Sequence, residues 1–141
     1  MNFFQCLLCN QYLEIYKRGG NVRKSQINML LLSTVLITLS IILAFIIYDH
    51  FYPGFLIKYF GSARLRGKDT GRLLGAVMGV VVFIFLKLTI GTKRWYDDTI
   101  EQFNSKSEEE QERIAKKGLR YFVIAFLPVI IFMLNALISM F

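Results

Sequence analysis

Three long stretches of the chain are almost free of charged residues. The first runs from Ile27 to Tyr48, the second from Leu73 to Gly91 with Lys87 as its one charge, and the third from Tyr121 to Phe141. A helix rises about 1.5 Å per residue, so roughly 20 residues cross the hydrocarbon core of a bilayer. The pattern predicts transmembrane helices at 27–48, 73–91 and 121–141.

These stretches are apolar on all sides. A helix of a soluble bundle keeps a polar face, which gives an apolar stripe with a period of 3.6 residues. Residues 77–86 are apolar apart from Gly79, and residues 41–47 contain no polar side chain. The pattern therefore favours helices surrounded by lipid over the buried helices of a soluble protein.

The segments outside the three stretches alternate between apolar and polar positions. In residues 1–26, large apolar side chains recur at helical spacing before Gly19 and Gly20, which predicts an amphipathic helix lying on the membrane surface. Residues 49–72, which are basic and glycine-rich, are predicted to form a connecting loop. The sequence thus predicts an all-α integral membrane protein with three transmembrane helices and an N-terminal amphipathic interfacial helix.

The second connection, residues 92–120, predicts a charged amphipathic helical loop between the second and third spans. Trp95, Ile100 and Phe103 can share one helix face, and Ser107 precedes Glu110 by three residues, as in a capping box. Gly118 is expected to interrupt this helix before the third span. Two interpretations remain open, a solvated spacer between spans and a docking surface for a soluble partner.

Composition and charge agree with a membrane location. Hydrophobic residues make up 55% of the chain and charged residues only 19%, against about 25% in globular proteins. The net charge is +7, but the basic residues cluster at the ends of the apolar stretches, where they meet lipid headgroups. We therefore expect the lipid bilayer as partner and no nucleic acid.

The distribution of Lys and Arg predicts the orientation. Eleven lie in the N-terminal segment and the second loop together, against five in the first loop. Because cytoplasmic segments are enriched in these residues, the N-terminus is expected in the cytoplasm and the C-terminus outside, in the plasma (inner) membrane. No targeting peptide is evident, so the first span is expected to act as an uncleaved signal anchor.

Small residues line one side of the second span. Gly71, Gly75 and Gly79 are spaced four apart, with Ala76 beside them. Such spacing makes a groove in which another helix backbone can approach closely. The groove predicts a helix-packing interface, either with the chain's own neighbouring spans or in an oligomer.

Several polar side chains fall inside the predicted spans. Hydroxyls there usually bond to their own helix or to a neighbouring one, and lining an aqueous path is the less favoured role. A lysine near the end of a span can extend to the headgroups, or it can pair with a partner's carboxylate. The residues predicted to make intramembrane polar contacts are Ser33, Thr34, Thr38, Ser40, Lys87 and Asn135.

The sequence predicts no metal or cofactor. Cys6 and Cys9 form a C-x-x-C pair, but a chain with one histidine cannot build a Cys₄ or Cys₂His₂ zinc site alone. Two protomers sharing a metal, palmitoylation, or plain packing remain open for this pair, with the last two favoured.

A non-enzymatic role is expected, because no catalytic constellation is evident around the single histidine, His50, and no acid lies inside a span. The favoured function is an accessory, scaffolding or assembly subunit that packs into a homo-oligomer or a larger membrane-protein complex. The alternatives are an oligomeric channel, transporter component or pore-forming effector, and a lipid-modifying enzyme built on Asp49 and His50.

Overall fold

The structure, a computed structural model, describes residues 1–54 and 68–140. These residues form helices and no strands. In chain order the helices are α1 (Phe3–Lys17), α2 (Lys24–Phe51), α3 (Lys68–Thr89), α4 (Lys93–Asn104) and α5 (Glu108–Met140). Among the described residues, α2, α3 and α5 are the helices long and apolar enough to cross a membrane. Much of the predicted first loop lies outside the described residues.

Helices α2, α3 and α5 depart from the predicted bounds. Helices α2 and α5 extend beyond the apolar stretches, and α3 begins at Lys68, inside the predicted loop 49–72, and ends at Thr89, before the predicted end of the span at residue 91. Helix α2 continues for about one turn past each end of 27–48. Helix α5 is a single helix of 33 residues that includes both the charged end of the second loop and the predicted third span. The expected interruption at Gly118 is wrong. One glycine disfavours a helix by only about 1 kcal/mol relative to alanine, and the packing of the surrounding residues outweighs this cost.

Helix α1 is packed between other helices. Four consecutive residues, Cys6 to Cys9, are all at most 1% exposed. Successive positions on a helix differ by about 100°, so these four side chains point in all directions around the axis. A helix lying on a surface buries one face only, so this placement differs from the surface-lying arrangement that the sequence predicts.

The core lies at the end of the molecule where all five helices meet. Its buried members are Leu7 and Leu8 of α1, Met29 and Leu30 of α2, and Leu86 of α3. Half-buried side chains from α4 and α5 pack around them, including Trp95, Tyr96, Ile100 and Phe122. Helix α1 therefore lies at the centre of this core, where it contacts both α2 and α5.

Local capping explains where the shorter elements begin. Asn2 accepts a hydrogen bond from the Gln5 amide at 2.9 Å, and the Gln5 side chain accepts one from the Asn2 amide, which closes a capping box on α1. Thr92 caps α4. The Ser107 hydroxyl accepts from the Glu110 amide at 3.4 Å, which agrees with the predicted helix start there.

Candidate helix-packing site

The tightest crossing in the described part of the chain is between α1 and α5, at Gly118. A Cβ atom added at Gly118 would lie 2.8 Å from the Leu7 backbone nitrogen and still closer to the Cys6 carbonyl. Real Cβ contacts do not reach such distances, so only glycine allows these two backbones to approach this closely. Gly118 therefore allows α1 to pack directly against α5.

Both cysteines lie on the α1 side of this crossing. Cys6 and Cys9 are free thiols, 1% and 0% exposed. Burial raises the pKa of the Cys9 thiol to about 12, and burial also raises the pKa of Cys6. Thiols in this state react slowly, because the thiolate is the nucleophile. The geometry thus fits packing better than palmitoylation or redox chemistry.

An ion pair joins the same two helices at the other end of α1. The Lys17 ammonium donates to a Glu112 carboxylate oxygen at 3.0 Å, and both side chains are about half exposed. The hydrogen bond and charge of Lys17 lower the pKa of Glu112. Because the pair is open to solvent, its effect on stability is small.

Two grooves flank α1. One, of about 440 Å³, lies between α1 and α5 and has both acidic and basic side chains on its wall: Glu14, Lys17, Glu112 and Lys116. The other, of about 480 Å³, is almost wholly apolar and lies between α2 and α3, with Phe4 on its wall. The first can accept a polar or zwitterionic group, and the second only a hydrocarbon.

The glycines of the second span face α2 of the same chain. A Cβ at Gly75 would lie 3.9 Å from Ile42 Cδ1, and one at Gly79 would lie 4.0 Å from Thr38 Oγ1. Both are ordinary van der Waals distances. Ala76 is exposed, and the surroundings of Gly71 fall outside the described residues. Gly75 and Gly79 thus lie at an intrachain contact that is looser than the crossing at Gly118.

The hydroxyls predicted in α2 bond mostly within their own helix. Thr34 donates to the Leu30 carbonyl and Ser40 to the Leu36 carbonyl, each at 2.7 Å. The Ser33 hydroxyl lies 3.8 Å from the Met29 sulfur. Thr38 Oγ1 differs, because it is buried and has no hydrogen-bond partner among the described residues. It faces Gly79 across the α2–α3 contact.

The remaining predicted residues are spread over the molecule. Lys87 is exposed near the end of α3, and Asn135 is exposed in the distal half of α5. His50 is also exposed and stacks edge-on against Phe51, with 5.8 Å between ring centroids. The structure therefore brings Thr38 and Gly79 together, but it leaves Lys87 and Asn135 facing outward.

A scan of family models and searches of curated proteins and of solved structures each found no match to this chain. No relative therefore supplies a role for any residue. The roles given below depend on the contacts and exposure of the chain's own side chains.

The residue that sequence reasoning missed is Gly118. Gly71, Gly75 and Gly79 have the spacing of a helix-packing motif, whereas Gly118 is a single glycine between helix-forming residues. Its signal was the helix-favouring sequence on both sides, from Glu108 to Lys117 and from Tyr121 onward. A glycine kept inside such a helix often has a packing reason. Its counterpart in α1, however, cannot be recognised from sequence spacing.

Proposed function

We propose that this chain is a small integral membrane protein that works as a non-enzymatic assembly subunit of a membrane complex. Helices α2, α3 and α5 would cross the plasma (inner) membrane, with the N-terminus in the cytoplasm and the C-terminus outside. The α1 core would lie toward the cytoplasmic side, together with α4 and the charged start of α5.

The observation that carries this proposal is the uneven burial of the three spanning helices. In the most apolar window of each helix, 28% of the residues of α2 are buried, but only 6% in α3 and 6% in α5. The outer faces of α3 and α5 are covered with large apolar side chains, among them Val80, Phe85, Leu88, Ile131 and Ile138. These faces are available to lipid and to other transmembrane helices.

The rigid α1 core supports the same role. Its buried residues join α2 and α3 at one end, Gly118 allows α5 to pack closely on α1, and the outer faces of the spans stay free. The polar face of α4, with Asp97, Asp98 and Glu101, is exposed beside it. A subunit that joins other membrane proteins needs both features, a fixed internal frame and open helix faces.

Native mass spectrometry of the tagged protein, released in a mild detergent, tests the assembly role. We expect a defined complex, either several copies or this chain with larger membrane proteins. A monomer at all detergent and protein concentrations would contradict the proposal. Purified protein that makes liposomes leak dye or conduct ions would instead favour the channel class.

Reporter fusions test the orientation. A reporter that works only in the cytoplasm should be inactive when fused after Phe141. The matched control is the same reporter inserted after Lys106, in the turn between α4 and α5, where activity is expected. The reverse pattern would overturn the proposed orientation and leave the assembly role to be judged by the mass measurement.

A further inference from the structure

Helix α5 has one side that packs on its own chain. Ala115 and Val129 are each 4% exposed, Gly118 is buried at the α1 crossing, and Phe122 is half-buried. At about 100° per residue, these four positions fall on the same side of the helix. As far as Val129, this side is therefore occupied by the other helices of the same molecule.

Within the charge-free stretch from Tyr121 onward, the opposite side of α5 is uncovered and carries the polar side chain of Asn135. Ile131 and Ile138 lie almost opposite Val129 and are 58% and 72% exposed. Asn135 lies next to them on the same side and is also exposed. Asn135 thus lies on a different side of α5 from the residues that pack against the other helices.

An exposed carboxamide is costly in this position. Asn135 lies within the charge-free stretch from Tyr121 to Phe141, four residues past the midpoint of that stretch and inside the hydrocarbon core if α5 spans the membrane. The group has two N–H donors and a carbonyl acceptor, and acyl chains satisfy none of them. Leaving a polar group unpaired in hydrocarbon costs several kcal/mol, so this side needs a hydrogen-bonding partner.

We propose that this partner is Asn135 of a second copy of the chain, so that two α5 helices pack side by side through Ile131, Asn135 and Ile138. Copies inserted with the same orientation are related by a two-fold axis along the membrane normal, which brings both asparagines to the same depth. A carboxamide is both donor and acceptor, so the pair is self-complementary. The proposal rests on the proposed assembly role and names its first partner.

Energy transfer between donor-labelled and acceptor-labelled copies in liposomes tests the pairing. We expect transfer for the unaltered protein that falls as lipid dilutes it. Asn135→Leu should weaken the association roughly tenfold, whereas Asn135→Gln should largely keep it. Ser40→Ala is the matched control, because it removes an exposed hydroxyl in α2 that bonds only to its own helix.

Cysteine cross-linking locates the contact. Ile131→Cys and Ile138→Cys should form disulfide-linked dimers under mild oxidation. Met133→Cys should not, although Met133 is 52% exposed, because it lies on the other side of α5. Since all these positions are exposed, the substitutions leave the internal packing intact, and an unchanged melting temperature checks this.

Two outcomes would overturn the proposal. One is no energy transfer between unaltered copies at high protein density. The other is transfer that Asn135→Leu leaves unchanged, which would mean that the copies meet through another surface. A complex with other membrane proteins that survives Asn135→Leu in native mass spectrometry would keep the assembly role while the pairing fails.

Discussion

Two glycine contacts in this protein differ both in their sequence pattern and in how closely the neighbouring helix approaches. Gly75 and Gly79 follow the four-residue spacing of helix-packing motifs, but the space around them would accept a methyl group. Gly118 belongs to no motif, yet its Cβ position is already filled by the backbone of Cys6 and Leu7. The difference shows that a glycine is required only where the atoms of the neighbouring helix leave no room for a Cβ atom.

The atoms that face each glycine also determine how the contact responds to a larger side chain. Gly79 meets the Thr38 side chain at an ordinary van der Waals distance, so a methyl group there needs no movement of α2. Gly118 meets main chain, so a side chain there would have to displace α1.

The largest effect is expected for Gly118→Val. The added side chain would push α1 away from α5, and we expect a loss of about 2–4 kcal/mol in unfolding free energy even after the gain in helix preference. Reversible unfolding in detergent micelles measures this loss. A stability equal to that of the unaltered protein would contradict the backbone crossing.

The next prediction concerns the thiols under the crossing. A thiol-reactive maleimide at pH 8 should label Cys6 and Cys9 slowly in the folded protein, because both are buried and the pKa of Cys9 is about 12. Labelling should become much faster in Gly118→Val, since α1 is then released. Raising the pH toward the raised pKa should also speed labelling. Equal rates in both proteins at pH 8 would indicate that α1 does not depend on Gly118.

Gly75→Ala and Gly79→Ala provide the contrast. Each methyl group would meet its neighbour at ordinary van der Waals distance, and alanine favours the helix. We expect stability to stay unchanged or to rise by up to about 1 kcal/mol. Micelle unfolding again measures it, and a loss as large as that of Gly118→Val would remove the distinction between the two contacts.

The smallest effect is expected at the solvent-exposed ion pair that accompanies the crossing. Lys17→Met should raise the pKa of Glu112 toward its ordinary value, since the hydrogen bond and charge of Lys17 lower it. Because the pKa is lowered in the folded state, the pair stabilises above the ordinary pKa and loses its effect as pH falls through the lowered value. An NMR titration of the Glu112 carboxyl carbon reports the shift. An identical titration in both proteins would mean that the pair does not form.

The sequence predicts where the helices of this protein lie along the chain better than it predicts which helices pack together. Charge-free runs identify α2, α3 and α5, and Phe103, on the apolar face predicted for the second loop, is buried. The unbroken α5 could not be predicted, because local propensity at Gly118 opposes what packing imposes. Nor could the burial of α1, since an amphipathic pattern fits a membrane surface as well as a crevice between helices. The outward direction of Asn135 depends on which side of α5 meets α1, which spacing alone does not reveal.

The packing of α1 against α5 limits how early during synthesis this contact can form. Lys17 and Glu112 are separated by 95 positions in the chain. At about 5–20 residues per second, a ribosome needs roughly 5–20 seconds to travel from one to the other. Helix α1 is therefore synthesised well before the helix against which it closes. Its contact with α5 can therefore form only after α5 has been made, whereas its contact with α2 can form much earlier.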